Sequence, residues 1–389
     1  MTLGARFDVL VLGVGGMGAS ALAHLAERGL TVVGIDQHDV PNAFGSSHGD
    51  TRVIRKAYFE DPRYVPLLER AYVLWEELEE RAEEKLLFRT GCINLGPPDH
   101  AAIRGVRESV DRHDLPHTIL DADAVRARFP ALLPSPTDIG VLEDDGGFLR
   151  VEACTRAHAR WADKRGGTIL ANAKVTSFSV APHDVRATLA DGTEVRARAA
   201  IVSAGSWLAG DPMLASIAIG TKALPLTIER QVQLFFRPLE AVPMTSPALP
   251  AFIHFAGEQA FYGIPMHGEH GDEPALKVCR HHGGDVITHP DALDREVHDA
   301  DVEPVRGFMR EHLPGGDGPL LRARACMYTN TPDRNFVIGV APAHPNLVVL
   351  GGFSGHGFKM ASVIGEIAAD LVTTGRSAFD LDPFRPDRF

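Results

Sequence analysis

Phe7-Asp8-Val9-Leu10-Val11-Leu12-Gly13-Val14-Gly15-Gly16-Met17-Gly18 opens the chain with an apolar run that ends in a glycine-rich turn. Such a run predicts a parallel strand buried on both faces. From Gly16 to Arg28 the apolar residues Met17, Ala21, Leu22 and Leu25 recur at helical spacing. Gly29 stands where a left-handed residue would close that helix. Thr31-Val32-Val33-Gly34-Ile35-Asp36 then reads as a second strand, completing a βαβ unit of about 30 residues.

Each glycine of Gly13-x-Gly15-x-x-Gly18 has a task at a dinucleotide site. Gly13 permits the tight turn, Gly15 lets backbone approach a pyrophosphate, and Gly18 lets helix and strand pack closely. The helix N-terminus offers unpaired N–H groups and a partial positive charge to the anion. Asp36 sits where a carboxylate would accept from the adenosine ribose hydroxyls. A glycine-rich βα turn without a ligand is the competing reading, disfavoured because strand, helix and acidic residue follow in order. The fingerprint alone does not separate FAD from NAD.

The 389 residues suit about two domains. Residues 61–85 predict one long surface helix with Tyr64, Leu67, Leu68, Ala71, Leu74 and Trp75 on one face. The pattern from 86 to 150 is mixed. Residues 168–180 and 185–202 alternate like strands, with Asp191-Gly192 as a hairpin turn in the second stretch. Residues 199–205 repeat the strand-into-glycine form of the N-terminus and read as a further strand of the nucleotide domain. Short β-like runs from 217 to 300 predict a substrate-facing sheet. Residues 346–352 predict a strand feeding a glycine-rich loop, and 361–372 a helix. The expected fold is α/β, a Rossmann-like nucleotide domain plus an α+β substrate domain with a mainly antiparallel sheet. The expected division is 1–85, 150–216 and 316–389 for the first, and 86–149 and 217–315 for the second.

Hydrophobic content of 44% and charged content of 23% are those of a soluble globular chain. A net charge of −12 argues against a nucleic-acid partner. No run approaches the ~20 apolar residues that cross a bilayer, and residues 1–7 carry no apolar signal segment. Cys92, Cys154, Cys279 and Cys326 have no C-x-x-C spacing and read as reduced thiols of a cytoplasmic protein.

Three separated blocks carry more. They are Gly45-Ser46-Ser47-His48-Gly49-Asp50-Thr51-Arg52-Val53-Ile54-Arg55, Ala325-Cys326-Met327-Tyr328-Thr329 and Gly352-Phe353-Ser354-Gly355-His356-Gly357-Phe358-Lys359. With the fingerprint they resemble the monomeric sarcosine oxidase family, which includes N-methyltryptophan oxidase and belongs to the glycine/D-amino-acid oxidase superfamily. The resemblance runs from Phe7 to Lys359 and is weaker in the middle.

The resemblance implies FAD joined by a thioether from the flavin 8α-methyl to a cysteine, which by motif position is Cys326. Gly13, Gly15, Gly18, Asp36, Ser46, Arg52, Val175, Gly355 and Lys359 are its other implied contacts. It also implies that a secondary amino acid is dehydrogenated, the imine hydrolyses, and dioxygen reoxidises the flavin to give hydrogen peroxide. Arg55 and Lys359 would hold the substrate carboxylate, an arginine fork beside a lysine point charge. Their field would also disfavour the substrate ammonium and so favour the reactive free amine. His281 matches the family's active-site histidine, Lys277 the lysine that assists oxygen, and Arg52 a cation near the flavin ring. Tyr262 and Tyr328 match aromatic positions of the substrate cavity. The resemblance favours a monomer whose partners are an N-substituted amino acid and dioxygen.

Plainer readings stand beside these: Cys326 as a buried thiol, Arg52 and Arg55 as solvated loop charges, Lys277 as an exposed strand lysine, the tyrosines as core. His267, His270, His281 and His282 follow no ligand spacing, so no metal is expected. Residues 266–274 are longer and more acidic than the family pattern and predict an exposed, mobile loop bearing on substrate choice. The competing functions are a dehydrogenase passing electrons elsewhere than to oxygen, a flavin-binding protein without turnover, and a nicotinamide-dependent reductase.

Overall fold

The computed structural model describes residues 6–217, 223–239, 243–268 and 273–389. The opening run forms the strand Phe7–Leu12, and its alternation divides two cores. Val9 and Val11 enter one apolar cluster while Leu10 and Leu12 enter another on the opposite face. A strand apolar on both faces therefore lies at the centre of a sheet covered on both sides. Its neighbours are Val32–Ile35 and Glu194–Val202, both parallel to it. Thr168–Leu170 extends the sheet on one side. On the other side Glu194–Val202 pairs with His344–Gly351 in parallel and Asp184–Leu189 antiparallel. The expected 199–205 strand thus lies beside the nucleotide strand, and the expected 346–352 strand one place further out. Asp191-Gly192 makes the turn between Asp184–Leu189 and Glu194–Val202.

The helix Gly16–Glu27 packs against Ala361–Thr374 and Val151–Lys164. Gly29, at φ +78°, closes it as expected. The approach of helix to strand requires Gly18: a Cβ there would lie 1.9 Å from the Gly13 carbonyl oxygen. The helix expected over 61–85 begins as a 3-10 turn at Pro62–Tyr64 and runs as an α-helix over Val65–Ala82. Asp61 accepts from the Arg63 N–H at the start, and left-handed Glu83 ends it. Leu67, Leu68, Ala71, Leu74 and Trp75 form its buried face.

A second sheet of nine strands is mainly antiparallel, in the order 286–287, 227–236, 275–281, 259–267, 251–256, 92–96, 139–143 and 118–121. Its ninth strand, Leu320–Asn330, pairs along Thr227–Phe236. The Cys326 segment, expected in the nucleotide domain, is therefore paired into the second sheet. A small third sheet joins Thr51–Ile54, Gly147–Arg150 and Leu87–Arg89.

The expected loop over 266–274 does not include its first two residues. Met266 and His267 end the strand Gln259–His267, and the His267 ring packs 4.9 Å from Phe88 and 5.0 Å from Phe148. Residues 269–272, His270 among them, lie outside the described residues, and Glu273 pairs with Arg237 at 2.7 Å.

Gly18→Ala is expected to push the helix off the strand, lowering both the thermal midpoint and the flavin content of purified protein. An alanine variant that melts with wild type and keeps its flavin contradicts the tight crossing.

Candidate active site

A cavity of about 310 Å³ runs from the Gly13–Gly16 turn and Asp36 to Tyr262, His281 and Lys359. At the nucleotide end Gly15 and Gly16 line it at the start of the helix, and Val175 and Gly13 contribute wall. The Asp36 carboxylate already accepts from the Val14 N–H at 2.8 Å and the His38 N–H at 2.9 Å. Each oxygen keeps a lone pair for a further donor, and burial raises its pKa.

The middle of the cavity is the segment 45–55. Ser46 Oγ donates to the Met327 carbonyl at 2.8 Å. Arg52 is no solvated charge: it donates to the carbonyls of Thr51 at 2.9 Å and Ser46 at 3.0 Å, and its Nη2 lies 3.8 Å from Cys326 Sγ. Cys326 is buried, and two residues along the same strand Tyr328 lines the cavity. Gly355, at φ +81°, passes so close that a Cβ would lie 2.5 Å from the Tyr328 ring.

At the far end Arg55 is 1% exposed. Its Nη2 donates to Glu60 Oε2 at 2.8 Å and its Nη1 to the Ala57 carbonyl at 2.8 Å. Burial would raise the Glu60 carboxyl, but Arg55, with His356 and Lys359, outweighs that and holds it at about 2. Lys359 Nζ donates to the His356 carbonyl at 2.6 Å, and burial first, then the Arg55 charge, lowers its pKa to about 7. His281 Nδ1 lies 3.1 Å from the Tyr328 hydroxyl, and burial, then His282, pushes the ring well below its usual pKa, leaving it neutral. The Tyr262 ring lies 6.5 Å from that of His281.

Lys277 stands apart from this group. It is 1% exposed rather than an exposed strand lysine, and it lines a small second cavity with Asp50, Phe235 and Ile264 instead of the large one. Its Nζ donates to the carbonyls of Gly49 and Thr51, both at 2.8 Å, and to Gln233 Oε1 at 3.0 Å. Burial, then the Arg52 charge, lowers its pKa to about 7. Among the described residues no cluster of His, Cys, Asp or Glu could hold a metal ion.

Sequence reasoning missed Glu60, Tyr58, His356 and Gln233. Glu60 lies five residues beyond Arg55, a spacing that reads as a solvated loop. Only the fold shows that both charges are buried together.

A turn that presents helix N–H groups, an acidic residue at the second strand and a long cavity ending in buried cations together define a dinucleotide-dependent redox enzyme. The chain belongs to the FAD dependent oxidoreductase family, whose model matches residues 8–371. It is 38% identical over 385 residues to a monomeric sarcosine oxidase of Streptomyces avermitilis, covering 98% of this chain and 97% of that one. It is 37% identical over 388 residues to an N-methyl-L-tryptophan oxidase of Citrobacter koseri, covering 99% of each. NikD, an unusual amino acid oxidase of nikkomycin biosynthesis, shares the fold with a TM-score of 0.85 at 24% identity, over 98% of this chain and 97% of that chain. The cavity fits the cofactor: the glycine turn and Asp36 suit its adenosine diphosphate half, and the wall at Ser46, Arg52 and Tyr328 suits its ring.

The Arg55–Glu60 pair predicts acid sensitivity. A carboxyl depressed to about 2 adds stability that is present above the unfolded value of about 4.3 and lost as pH falls towards 2. Urea midpoints of Glu60→Gln are expected to fall less steeply than those of wild type between about pH 4.5 and 2.5. Parallel curves for the two proteins would contradict the depressed carboxyl.

Proposed function

We propose that the protein oxidises a secondary amino acid, N-methyl or cyclic, with FAD tethered through Cys326 and dioxygen as acceptor. The observation that carries this reading is the buried pair of cations, Arg55 and Lys359, at the end of the cavity, one of them already paired with a carboxylate of the chain's own. A carboxylate arriving from solution would replace Glu60 on the Arg55 fork and give Lys359 the counter-charge it lacks. With two cations at its acidic end, the substrate's ammonium form is disfavoured and the free amine is presented. His281, neutral and bonded to Tyr328, and Tyr262 line the space the amine would occupy. When bound, FAD would supply the redox chemistry: a hydride equivalent from the C–H bond beside the amine nitrogen leaves an imine, which water hydrolyses, and dioxygen takes the two electrons with two protons as hydrogen peroxide.

The names of the relatives, a sarcosine oxidase and an N-methyl-L-tryptophan oxidase, support the substrate class. The proposal includes a monomer, a cytoplasmic location and only small-molecule partners. None of the four cysteines is in a disulfide, which is consistent with a reducing compartment. No described helix is long and apolar enough to cross a membrane.

Mixed anaerobically with sarcosine, N-methyl amino acids and L-pipecolate, the enzyme is expected to bleach its flavin with at least one of them. No reduction by any member of the set would remove the substrate class. The intact mass of denatured wild type is expected to include FAD, and that of Cys326→Ser to match the bare polypeptide. A bare wild-type polypeptide removes the tether.

The seclusion of Lys277 favours a second reading, an acceptor other than dioxygen. Lys277→Met decides between them. The oxidase reading expects reoxidation by oxygen to slow by about tenfold or more while flavin reduction changes little. Equal effects on both half-reactions contradict that role for Lys277.

A further inference from the structure

We propose that Tyr58 and His356 form a positioning pair that aims the Lys359 ammonium into the cavity through the Tyr58 hydroxyl. The inference rests on Lys359 as a carboxylate ligand and gives a task to two residues that the grip itself does not name.

Proton bookkeeping fixes the direction of every bond in the chain. His356 Nε2 lies 3.0 Å from the Arg334 carbonyl oxygen, which can only accept, so Nε2 carries the hydrogen. Burial, opposed in part by Glu60, lowers the ring's pKa to about 4, so the imidazole is neutral and Nδ1 has a bare lone pair. The Tyr58 hydroxyl, 2.6 Å away, therefore donates to Nδ1. Its oxygen is left as an acceptor, and Lys359 Nζ lies 3.4 Å from it.

The ammonium's other acceptor is the His356 carbonyl at 2.6 Å. Trp75 Nε1 donates to the Lys359 carbonyl at 2.8 Å and holds the backbone at that point. Of three ammonium protons two are thus directed by Tyr58 and His356, and the third is free for a ligand in the cavity that Lys359 lines.

The same tyrosine ring braces both halves of the grip. Arg55 Cζ lies 4.4 Å and Lys359 Nζ 5.1 Å from its centroid. Tyr58 is fully buried and does not line the cavity, so it acts on a ligand only through the cations it supports. The charged and titratable groups facing Lys359 are Arg52, Arg55 and Glu60 from the segment before the long helix, and Cys92 from Cys92–Gly96. Tyr58, His356 and His281 complete the set.

The test titrates flavin-loaded enzyme with methoxyacetate, a carboxylate whose ether oxygen replaces the amine, by calorimetry from pH 6 to 9. In wild type the Kd is expected to rise as pH climbs above about 7, where the Lys359 ammonium is lost. Tyr58→Phe keeps the ring and removes the hydroxyl, which is both the acceptor for Lys359 and the donor to His356. Its rise in Kd is expected at lower pH, with binding about tenfold weaker at pH 8. His356→Leu should behave in the same way. His356→Gln, whose amide can accept from Tyr58 and donate to the Arg334 carbonyl, should restore the wild-type profile. Thermal midpoints and flavin absorbance check folding, and if His356→Leu does not fold, Tyr58→Phe carries the test alone. A Tyr58→Phe profile that overlays wild type overturns the pair. Lys359→Met should abolish the pH dependence; if it binds like wild type at every pH, the carboxylate grip itself is wrong, a failure separate from that of the pair.

Discussion

Backbone N–H and carbonyl groups along the segment 45–55 are held by side chains from elsewhere in the chain, and the site depends on that binding. The Gly16 N–H reaches Ser47 Oγ at 3.1 Å, tying the segment to the nucleotide helix. The N–H groups of Gly49 and Asp50 donate to the Glu152 carboxylate. Arg322 and Arg324 each reach Asp50 at 3.0 Å. Lys277 takes two carbonyls, and Gln233 Nε2 donates to the His48 carbonyl at 3.3 Å. A buried irregular segment must satisfy its backbone donors and acceptors or lose a kilocalorie or more, on the order of 1–3 kcal/mol, at each. Here side chains from the second sheet and from the helix Val151–Lys164 meet that requirement, so the segment that carries Arg52 and Arg55 is fixed against both. Gly49 shows how tightly: a Cβ would lie 1.7 Å from Gln233 Oε1.

This arrangement concentrates positive charge where water is scarce. Arg52, Arg55 and Lys359 line the cavity, Lys277 lies buried in the smaller one, and Glu60 is the carboxylate bonded to Arg55. Burial brings Lys359 to about 7, a sign that the protein alone stabilises its charged form poorly. An anion entering the cavity that Lys359 lines would restore that balance. The site's electrostatics therefore select for a ligand with an acidic end, and the protein's overall charge of −12 does not alter this local field.

How much of this was visible beforehand follows from what each residue type discloses. The strand Phe7–Leu12 was legible because both of its faces are apolar, and the turn after it because only glycine permits such close packing. The Cys326 and Lys359 motifs were legible as blocks. The sheet that holds Leu320–Asn330 was not, because strand pairing over a separation of about ninety residues leaves no local periodicity. Glu60 and His356 were illegible for another reason. Charged and polar residues are mostly exposed, so their burial appears only when the surrounding elements are placed. Lys277 illustrates both lessons: its strand was readable, but the partners that enclose its amine come from residues 49, 51 and 233.

Arg55 of the rigid segment and Lys359 of the C-terminal motif are proposed to grip an amino acid by its carboxylate beside the flavin. The most direct measurement compares anaerobic flavin reduction by N-methylglycine and by N-methylglycinamide, which differ in that group, at matched concentrations of free amine. The account predicts reduction by the acid and, for the amide, a rate constant at subsaturating concentration lower by about a hundredfold or more. Equal reduction by acid and amide would contradict it.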